Sequence, residues 1–329
     1  MFWILCSKLT RNTNSRSSSR ALLTNRAKRL PFRKRLLKWL GRLVFWWFSK
    51  TSRMLSPWIV NILGSSLGLL FYYVSKRYRR IALANLTAAF SDEKSPAEIA
   101  SLAREVFKHF ARESLQFFRL VSLNREEIDR LVEVVGVENL DRALEKRRGC
   151  IAVTAHYGNW ELLARKLVVM GYPVNVIARD SDDPGMTNIA TSIREGAGYR
   201  VFDKDQPIIG AFRRLRNNEI LGILPDQNDF QGIPVPFFGR LAATATGPAF
   251  LAIRSGAPIV PLFARRIEGG RYRIVIYPEI GFEPTGDEEH DIKILTTLIT
   301  AAIEQEIRSN PAQWLWLHDR WKYAREVCG

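Results

Sequence analysis

The first quarter of the chain contains no acidic residue. Between residues 1 and 91 there are 18 lysines and arginines but no aspartate or glutamate. The remaining 238 residues hold 31 basic and 33 acidic side chains, so the excess behind the net charge of +16 lies entirely in this N-terminal quarter. A basic arm of this kind binds a polyanion, either an anionic membrane surface or a nucleic acid.

Cysteine is also scarce. The three cysteines, Cys6, Cys150 and Cys328, are far apart, which excludes a disulfide framework and a zinc site built from cysteine pairs. We expect a reducing compartment and no metal or cofactor. The chain has neither a Gly-x-Ser-x-Gly elbow nor a P-loop, so a serine hydrolase or an NTPase is not supported. With 47% hydrophobic residues in 329, it is long and apolar enough for a large core.

The patterning predicts three parts. Residues 1–30 are a flexible basic tail without the apolar segment and cleavage site of a secretory signal. Residues 31–75 combine a basic amphipathic helix over 31–50 with an uncharged run over 54–75, which is long enough to cross a bilayer. Gly64 and Gly68 would let another helix approach this run closely. Both a membrane helix and a helix packed on the domain fit the pattern. Residues 76–329 form the catalytic domain.

Of the two candidate partners of the basic arm, nucleic acid is less well supported by the sequence. The cations of the arm alternate with Trp, Phe and Leu at helical spacing, and no zinc-finger, helix-turn-helix or RNA-recognition signature follows them. The Trp-rich segment over 314–321 could stack on bases, but it equally suits interfacial or domain packing. We therefore expect an anionic membrane as partner and no nucleic acid.

The globular part has an α/β pattern. Ser95 to Glu98 form a capping box that opens a helix ending near residue 119. Short β-branched runs then alternate with helical segments, which predicts a sheet covered by helices on both faces. Strands are predicted over 150–156, 174–179, 220–224, 257–264 and 272–278, and helices over 160–170, 186–196 and 292–309. The strand order is not predicted.

His156 is the histidine with the most chemical promise. His109 and His318 fit structural roles, and His290 lies in an acidic loop. His156 ends a predicted strand, and Glu161 follows in the first turn of the next helix. On one continuous helix these two side chains would be about 140° apart, but a strand–turn–helix corner lets the carboxylate reach the imidazole. The pair could then remove a proton from an alcohol. The alternative is a histidine that is simply hydrogen-bonded in a turn.

Three further polar residues follow strands or turns. Arg179 stands at a strand end before a loop, where its guanidinium suits a phosphate or diphosphate, or an ion pair with a nearby aspartate. Asp226 also ends a strand and either holds Arg179 or an acceptor sugar, or caps a turn. Arg240 is a candidate for an anionic substrate, with a surface role as the alternative.

Several segments along the chain form an ordered set. After the hydrophobic strand that ends in His-x4-Glu, and around it, come RRIALANLTAAF, IARD, LPDQN, VPFFGR, TATGPAFLA and PAQWLWLHDRWK, from about residue 55 to 325. His-x4-Glu is similar to the catalytic motif of the lysophospholipid acyltransferase superfamily, and the ordered set resembles the narrower family of lipid A late acyltransferases. The resemblance implies a mixed central sheet of the glycerolipid acyltransferase type, with membrane-associated N-terminal helices.

The resemblance implies acyl transfer from an acyl carrier protein thioester, or acyl-CoA, to a hydroxyl of a lipid A precursor or similar glycolipid at the cytoplasmic face of the inner membrane. His156 would be the general base, oriented by Glu161. The tetrahedral oxyanion needs donors, expected from Gly158–Asn159 or from the loop with Thr246 and Gly247. Phe237 and Phe238 would line the acyl channel or fill the core. The alternatives are a phospholipid, lysophospholipid or phosphoinositide-mannoside acyltransferase, and a membrane-anchored lipid-binding protein without catalysis.

Overall fold

The structure is a computed structural model that describes residues 51, 56–178, 184–203 and 208–323. The predicted tail over 1–30 and the predicted amphipathic helix over 31–50 lie outside the described residues. The predicted uncharged run over 54–75 is described from residue 56 onward.

Three helices come first in the described chain. They are α1 (Pro57–Val74), α2 (Lys76–Phe90) and α3 (Pro96–Arg119). The predicted capping box begins α3, because the Ser95 side chain accepts the Glu98 backbone N–H while the Glu98 carboxylate accepts the Ser95 N–H. The apolar face of α3 is buried in the core, with Phe107, Phe110 and Leu115 among its buried side chains.

One face of α1 packs closely on α3, and its other face is apolar and exposed. A Cβ atom on Gly68 would lie 2.4 Å from the Phe107 carbonyl oxygen, and one on Gly64 would lie 2.7 Å from the Arg112 Cα. The two glycines therefore set the approach of the helices. On the outer face Trp58 is 70% exposed and Val74 is 72% exposed.

No single helix in the described part of the chain has the length and apolar character to cross a membrane. Helices α1 and α2 meet that requirement only when taken together, across a bend of 94° at Ser75. The prediction of a membrane-associated helix is therefore not confirmed, whereas packing of α1 on the domain is observed.

The rest of the chain alternates strands and helices. In chain order the elements are α4 (Arg125–Leu131), β1 (Val132–Val135), α5 (Val137–Glu145), β2 (Cys150–Val153), α6 (Trp160–Val169), β3 (Val174–Ala178), α7 (Pro184–Gly196), β4 (Arg200–Asp203), α8 (Ile209–Arg216), β5 (Ile220–Ile223), β6 (Asn228–Phe237), β7 (Arg240–Thr244), α9 (Gly247–Ser255), β8 (Ile259–Arg266), β9 (Tyr272–Ile276) and α10 (Glu288–Ser309). Short 3-10 turns follow β8 and α10.

Seven of the described strands form one mixed sheet, in the order β1-β9-β8-β2-β5-β3-β4. Strands β8, β2, β5, β3 and β4 are parallel to one another, whereas β9 is antiparallel to β8 and parallel to β1. Strands β6 and β7 form a separate antiparallel hairpin. The prediction of a mixed α/β sheet is confirmed.

Each face of the sheet carries its own hydrophobic core. Along β2, Ile151 and Val153 belong to the core shared with α1–α3, α9 and α10, while Cys150 and Ala152 belong to the core shared with α4–α7. This alternation follows from the two-residue period of a strand. Helices thus cover both faces, as predicted.

The predicted strands and helices are found, with ends that differ by a few residues. The main difference is at the strand predicted over 150–156, which ends at Val153. The strand prediction missed β1, β4 and the β6–β7 hairpin. Strands β1 and β4 are four-residue strands at the two edges of the sheet, where a short run carries little periodic signal.

The close approach of α1 and α3 gives a stability prediction. Gly68→Ala lowers the free energy of unfolding by about 2 kcal/mol, because the added methyl group overlaps the α3 backbone. Gly210→Ala in α8 is the matched control, since a Cβ there meets no atom within 4 Å, and it is neutral or slightly stabilising. Denaturant unfolding of the two purified variants measures both. Equal stability would contradict the close contact.

Candidate active site

Two neighbouring parallel strands place His156 beside Asp226. Val153, the last residue of β2, is in register with Ile223, the last residue of β5. His156 and Asp226 each stand three residues beyond those ends. The carboxyl ends of parallel strands meet at one edge of the sheet, the usual place for ligands in open α/β folds. The register of β2 and β5 therefore brings the two side chains together.

The Asp226 carboxylate is bonded to both the ring and the backbone of His156. Its Oδ1 atom lies 2.8 Å from His156 Nδ1. Its Oδ2 atom accepts the His156 backbone N–H at 2.8 Å and the Trp314 indole N–H at 2.8 Å. Three donors from two segments thus fix the carboxylate, and the carboxylate in turn fixes the imidazole.

Burial and charge separate the roles of the two groups. The Asp226 side chain is 1% exposed, whereas the His156 side chain is 22% exposed. Burial by itself would raise the pKa of the Asp226 carboxyl, but the charge and hydrogen bonds of His156 and the Trp314 N–H bring that pKa below its ordinary value. The site therefore pairs a sealed carboxylate with an imidazole that a substrate can reach.

The other ring nitrogen of His156 faces Gln227. The Gln227 Nε2 atom lies 3.3 Å from His156 Nε2. An amide nitrogen can only donate, so this contact fits an imidazole with its proton on Nδ1, toward Asp226, and a lone pair on Nε2. The ring of Trp160 meets the imidazole edge to face, with centroids 5.1 Å apart. Nε2, which carries the lone pair, is therefore the ring atom that can accept a proton.

Glu161 does not orient His156, and this corrects the prediction from the sequence. The single Nε–H of Arg194 is shared between the two Glu161 oxygens, at 3.1 and 3.2 Å. Glu161 also accepts hydrogen bonds from Arg194 Nη2 at 2.5 Å and from the Tyr199 hydroxyl at 2.6 Å. The first turn of α6 directs Glu161 toward α7 and β4, away from the imidazole. Burial would raise the pKa of Glu161, but the pairing with Arg194 lowers it.

The backbone at Gly158 and Asn159 is also engaged elsewhere. The Gly158 N–H donates to the Gln313 carbonyl at 3.0 Å, and the Asn159 N–H donates to the Ala264 carbonyl at 3.0 Å. The expectation that these two groups bind an oxyanion is therefore wrong for this structure. Gly158 instead serves close packing: its φ is +56°, and a Cβ there would lie 1.7 Å from the Ala264 oxygen.

Thr246 and Gly247 stand at the beginning of α9. The first N–H groups of an α-helix have no partner within the helix, and the space beside Gly247 is open to 4 Å. The hairpin connects this terminus to the site, because Thr244 pairs with Asn228, two residues after Asp226. Of the two oxyanion positions predicted from the sequence, the start of α9 stays the candidate, although Pro248 at its second position has no N–H.

Phe237 and Phe238 are core side chains, which is the second of the two roles considered for them. Phe237 is 1% exposed and packs edge to face against Trp314, with centroids 5.5 Å apart. Phe238 also lines a surface cleft of about 340 Å³ with Arg240 and Arg308. Arg240 is exposed in this cleft, and Arg308 is paired with Glu93 and Glu304. A role for Arg240 in binding an anionic substrate stays a prediction.

Arg179 lies outside the described residues. The C-terminal segment over 314–321 is a packing element: Trp314, Trp316 and Trp321 are buried. Arg320 is 1% exposed and donates to the Ala243 carbonyl at 2.6 Å. Burial lowers the pKa of Arg320 to about 10, against the opposing charge of Asp226. The His318 ring accepts the Asn228 N–H at 3.2 Å, which is a structural contact. His109 is buried, and burial lowers its pKa to about 3.

The sequence reasoning missed two parts of the site. Gln227 and Trp314 both contact the His156–Asp226 pair, but only Gln227 left a signal, as the neighbour of Asp226 after a strand. Trp314 is about 90 residues away along the chain, and nothing local connects it with Asp226.

The described fold and site define an α/β protein with an accessible histidine that is bonded to a buried carboxylate. Residues 23–323 match the family described as bacterial lipid A biosynthesis acyltransferase. The match covers most of the chain, so the chain belongs to this acyltransferase family, and the resemblance drawn from the sequence motifs is confirmed.

Curated relatives with different acceptors are similar to the chain. It is 28% identical over 291 residues to the "Lipid A biosynthesis lauroyltransferase" of Escherichia coli strain K12, covering 87% of this chain and 91% of the relative. The "Lipid A biosynthesis palmitoleoyltransferase" of the same strain is 28% identical over 298 residues, with the same coverage. The "Phosphatidylinositol mannoside acyltransferase" of Mycolicibacterium smegmatis is 26% identical over 238 residues, covering 69% and 75%.

The buried pair of Glu161 and Arg194 gives a stability prediction. Glu161→Gln lowers the free energy of unfolding by about 3 kcal/mol at pH 7, since Arg194 loses its anion. The pKa of Glu161 is lowered in the folded protein. Its stabilisation is therefore present above the ordinary carboxyl pKa of about 4.3 and is lost as the pH falls further. Denaturant unfolding between pH 3 and pH 7 measures the difference.

The control for this pair is Glu195→Gln on the same helix as Arg194. Glu195 is exposed, so its substitution changes stability by less than about 0.5 kcal/mol at any pH. A gap between wild type and Glu161→Gln that did not narrow in acid would contradict the ion pair.

Proposed function

We propose that the protein transfers a fatty acyl chain from an acyl carrier protein thioester, or acyl-CoA, to a hydroxyl of a lipid A precursor or a similar glycolipid. The observation that carries this proposal is the accessible His156 ring held through Nδ1 by the sealed Asp226 carboxylate. Membership of the acyltransferase family supports the reaction class. The names of the relatives support a glycolipid acceptor.

His156 is the general base of the proposed reaction. Its Nε2 atom removes the proton of the acceptor hydroxyl while the oxygen attacks the thioester carbonyl carbon. The resulting tetrahedral intermediate collapses as the C–S bond breaks, and the imidazolium returns the proton to the leaving thiolate. Asp226 accepts the Nδ1–H throughout and stabilises the positive imidazolium. No covalent enzyme intermediate is required.

The remaining site residues bind and polarise the substrates. The N-terminus of α9, with Gly247 at its first position, supplies N–H donors and the positive end of a helix dipole to the oxyanion. Arg179 binds a phosphate of the acceptor, and Arg240 binds a second anionic group from the cleft beside Phe238. The exposed apolar face of α1 and the basic arm over 1–53 hold the protein on an anionic membrane.

A phosphoinositide mannoside is the second candidate acceptor. The M. smegmatis relative, whose name gives this acceptor, is 26% identical to the chain. Both acceptors are sugar hydroxyls on an anionic lipid, so the dyad of His156 and Asp226 can deprotonate either one without change. The residues that bind the acceptor, Arg179 and Arg240, therefore determine which of the two lipids is used.

Activity of the dyad variants gives the main prediction. His156→Ala lowers kcat about a thousandfold or more, because no other group removes the proton. Asp226→Asn lowers kcat about 10²–10⁴-fold, since the amide no longer holds the reactive tautomer. The measurement uses purified full-length protein with labelled acyl carrier protein thioester and a panel of lipid A precursor, phosphoinositide mannoside and lysophospholipid, with products identified by mass spectrometry.

The matched control is His290→Ala, an exposed histidine at the start of α10, which leaves kcat unchanged. Near-normal rates in either dyad variant would contradict the proposed mechanism. Turnover of lysophospholipid alone would replace the glycolipid acceptor with a glycerophospholipid. Ligand binding without thioester consumption in the wild type would mean a binding protein.

A further inference from the structure

Helix α3 carries a buried carboxylate that the proposed reaction does not use. Glu113 is 6% exposed and accepts hydrogen bonds from three separate elements. The donors are Asn159 Nδ2 at 2.7 Å, before α6; Arg266 Nη1 at 3.0 Å, on β8; and the Tyr272 hydroxyl at 2.7 Å, on β9. One of these donors stands only three residues after His156.

The Asn159 amide links Glu113 to the corner that carries the base. Its oxygen accepts the Leu162 N–H at 2.8 Å and so caps α6, while its nitrogen donates to Glu113. A rotated amide would turn its oxygen toward the carboxylate, which repels it. The charge of Glu113 therefore fixes the orientation of the cap. Gly158, with its φ of +56°, completes the short path from Asn159 to His156.

Burial raises the pKa of the Glu113 carboxyl, while the charge of Arg266 on the sheet side favours its ionised form. Arg266 donates to Glu113 through Nη1 and to the Asn61 side chain of α1 through Nη2, at 3.1 Å. His109 Nδ1 lies 3.9 Å from Glu113, and burial keeps this ring uncharged. The side chains of Glu113 and Arg266 are 5% and 12% exposed, so the pair is shielded from water.

Stability alone does not account for such a group. A buried ion pair is often no more stabilising than apolar side chains of the same volume, because both charges must leave water. A carboxylate does, however, hold an amide in one orientation, which an apolar side chain cannot do. The contact with Asn159, at the end of the corner that carries His156, is thus the property specific to Glu113.

We propose that Glu113 is a positioning residue for the acyl-transfer reaction, acting through Asn159 on the corner that places His156. The proposal rests on the proposed function. Glu113 acts at a distance from the reacting atoms: it sets where the imidazole stands relative to the thioester and the acceptor hydroxyl. A small misplacement of a base lowers the rate strongly, because proton removal and attack require a narrow geometry.

Two variants weaken or remove the contact in different ways. Glu113→Gln keeps the volume and removes the charge. Asn159→Ser keeps a side-chain cap for α6 but is too short to reach Glu113. We expect each to lower kcat about tenfold or more with little change in KM. The double variant should be no slower than the slower single variant, because both changes break one link.

The control is Asp291→Asn, which removes the charge of another buried carboxylate, one on α10 that accepts hydrogen bonds from Thr285 and Gly286. It lowers the denaturation midpoint and leaves kcat within about twofold of wild type. A kcat within twofold in both Glu113→Gln and Asn159→Ser would overturn the proposal. Multiplying losses in the double variant would overturn it as well, since they would mean independent effects.

A second readout does not depend on acyl transfer. The chain has four histidines, so the imidazole signal of His156 in histidine-labelled protein is assigned by its loss in His156→Ala. Glu113→Gln and Asn159→Ser shift or broaden this signal, whereas Asp291→Asn does not. An unchanged signal in both overturns the positioning role. A shifted signal in a protein without acyl transfer supports the positioning role and rejects the proposed function.

Discussion

The bond between His156 Nδ1 and the Asp226 carboxylate is the contact around which the site is built. It exists because β2 and β5 are adjacent, parallel and in register at their last residues, Val153 and Ile223. Each strand is followed by a three-residue continuation that turns its polar side chain into the same space. The sheet topology, and not the local sequence around the histidine, therefore determines which carboxylate holds the His156 ring.

This explains why the sequence indicated His156 as a candidate but did not indicate Asp226 as its partner. The β2 strand, the turn and the start of α6 are local features, and they identify His156 as a residue at a strand–helix corner. Glu161 is near His156 along the chain, but the first turn of α6 directs it to Arg194 and Tyr199. Asp226 is 70 residues away, and without a strand order no pattern indicates that it meets the ring. The family resemblance is confirmed, and it rests on segments of the sequence, whereas the pairing of distant side chains is a property of the fold.

The same distinction applies to α1. Its lack of charge, its aromatic ends and the Gly64–Gly68 spacing predict a helix with one close-packed face, without indicating what packs there. The structure places α3 on that face, at 2.4 Å between a virtual Cβ and the Phe107 oxygen, and leaves Trp58 and Val74 outside. A helix can thus be part of the enzyme core on one side and present an apolar surface on the other. In contrast, the start of α3 was predicted to the residue, because a capping box is local.

Three carboxylates surround the corner between β2 and α6 that carries His156, and each holds a different part of it. Asp226 holds the imidazole, Glu161 holds the first turn of α6 to α7 and β4, and the α3 carboxylate, Glu113, holds the cap of α6. All three are largely buried, and buried charges are costly unless they are fully bonded. Their concentration around one strand–helix junction limits the movement of that junction, because a hydrogen bond in a shielded site resists displacement more than one in water. The buried carboxylates at this corner thus hold the His156 ring and its surroundings in place, in addition to what each ion pair contributes to stability.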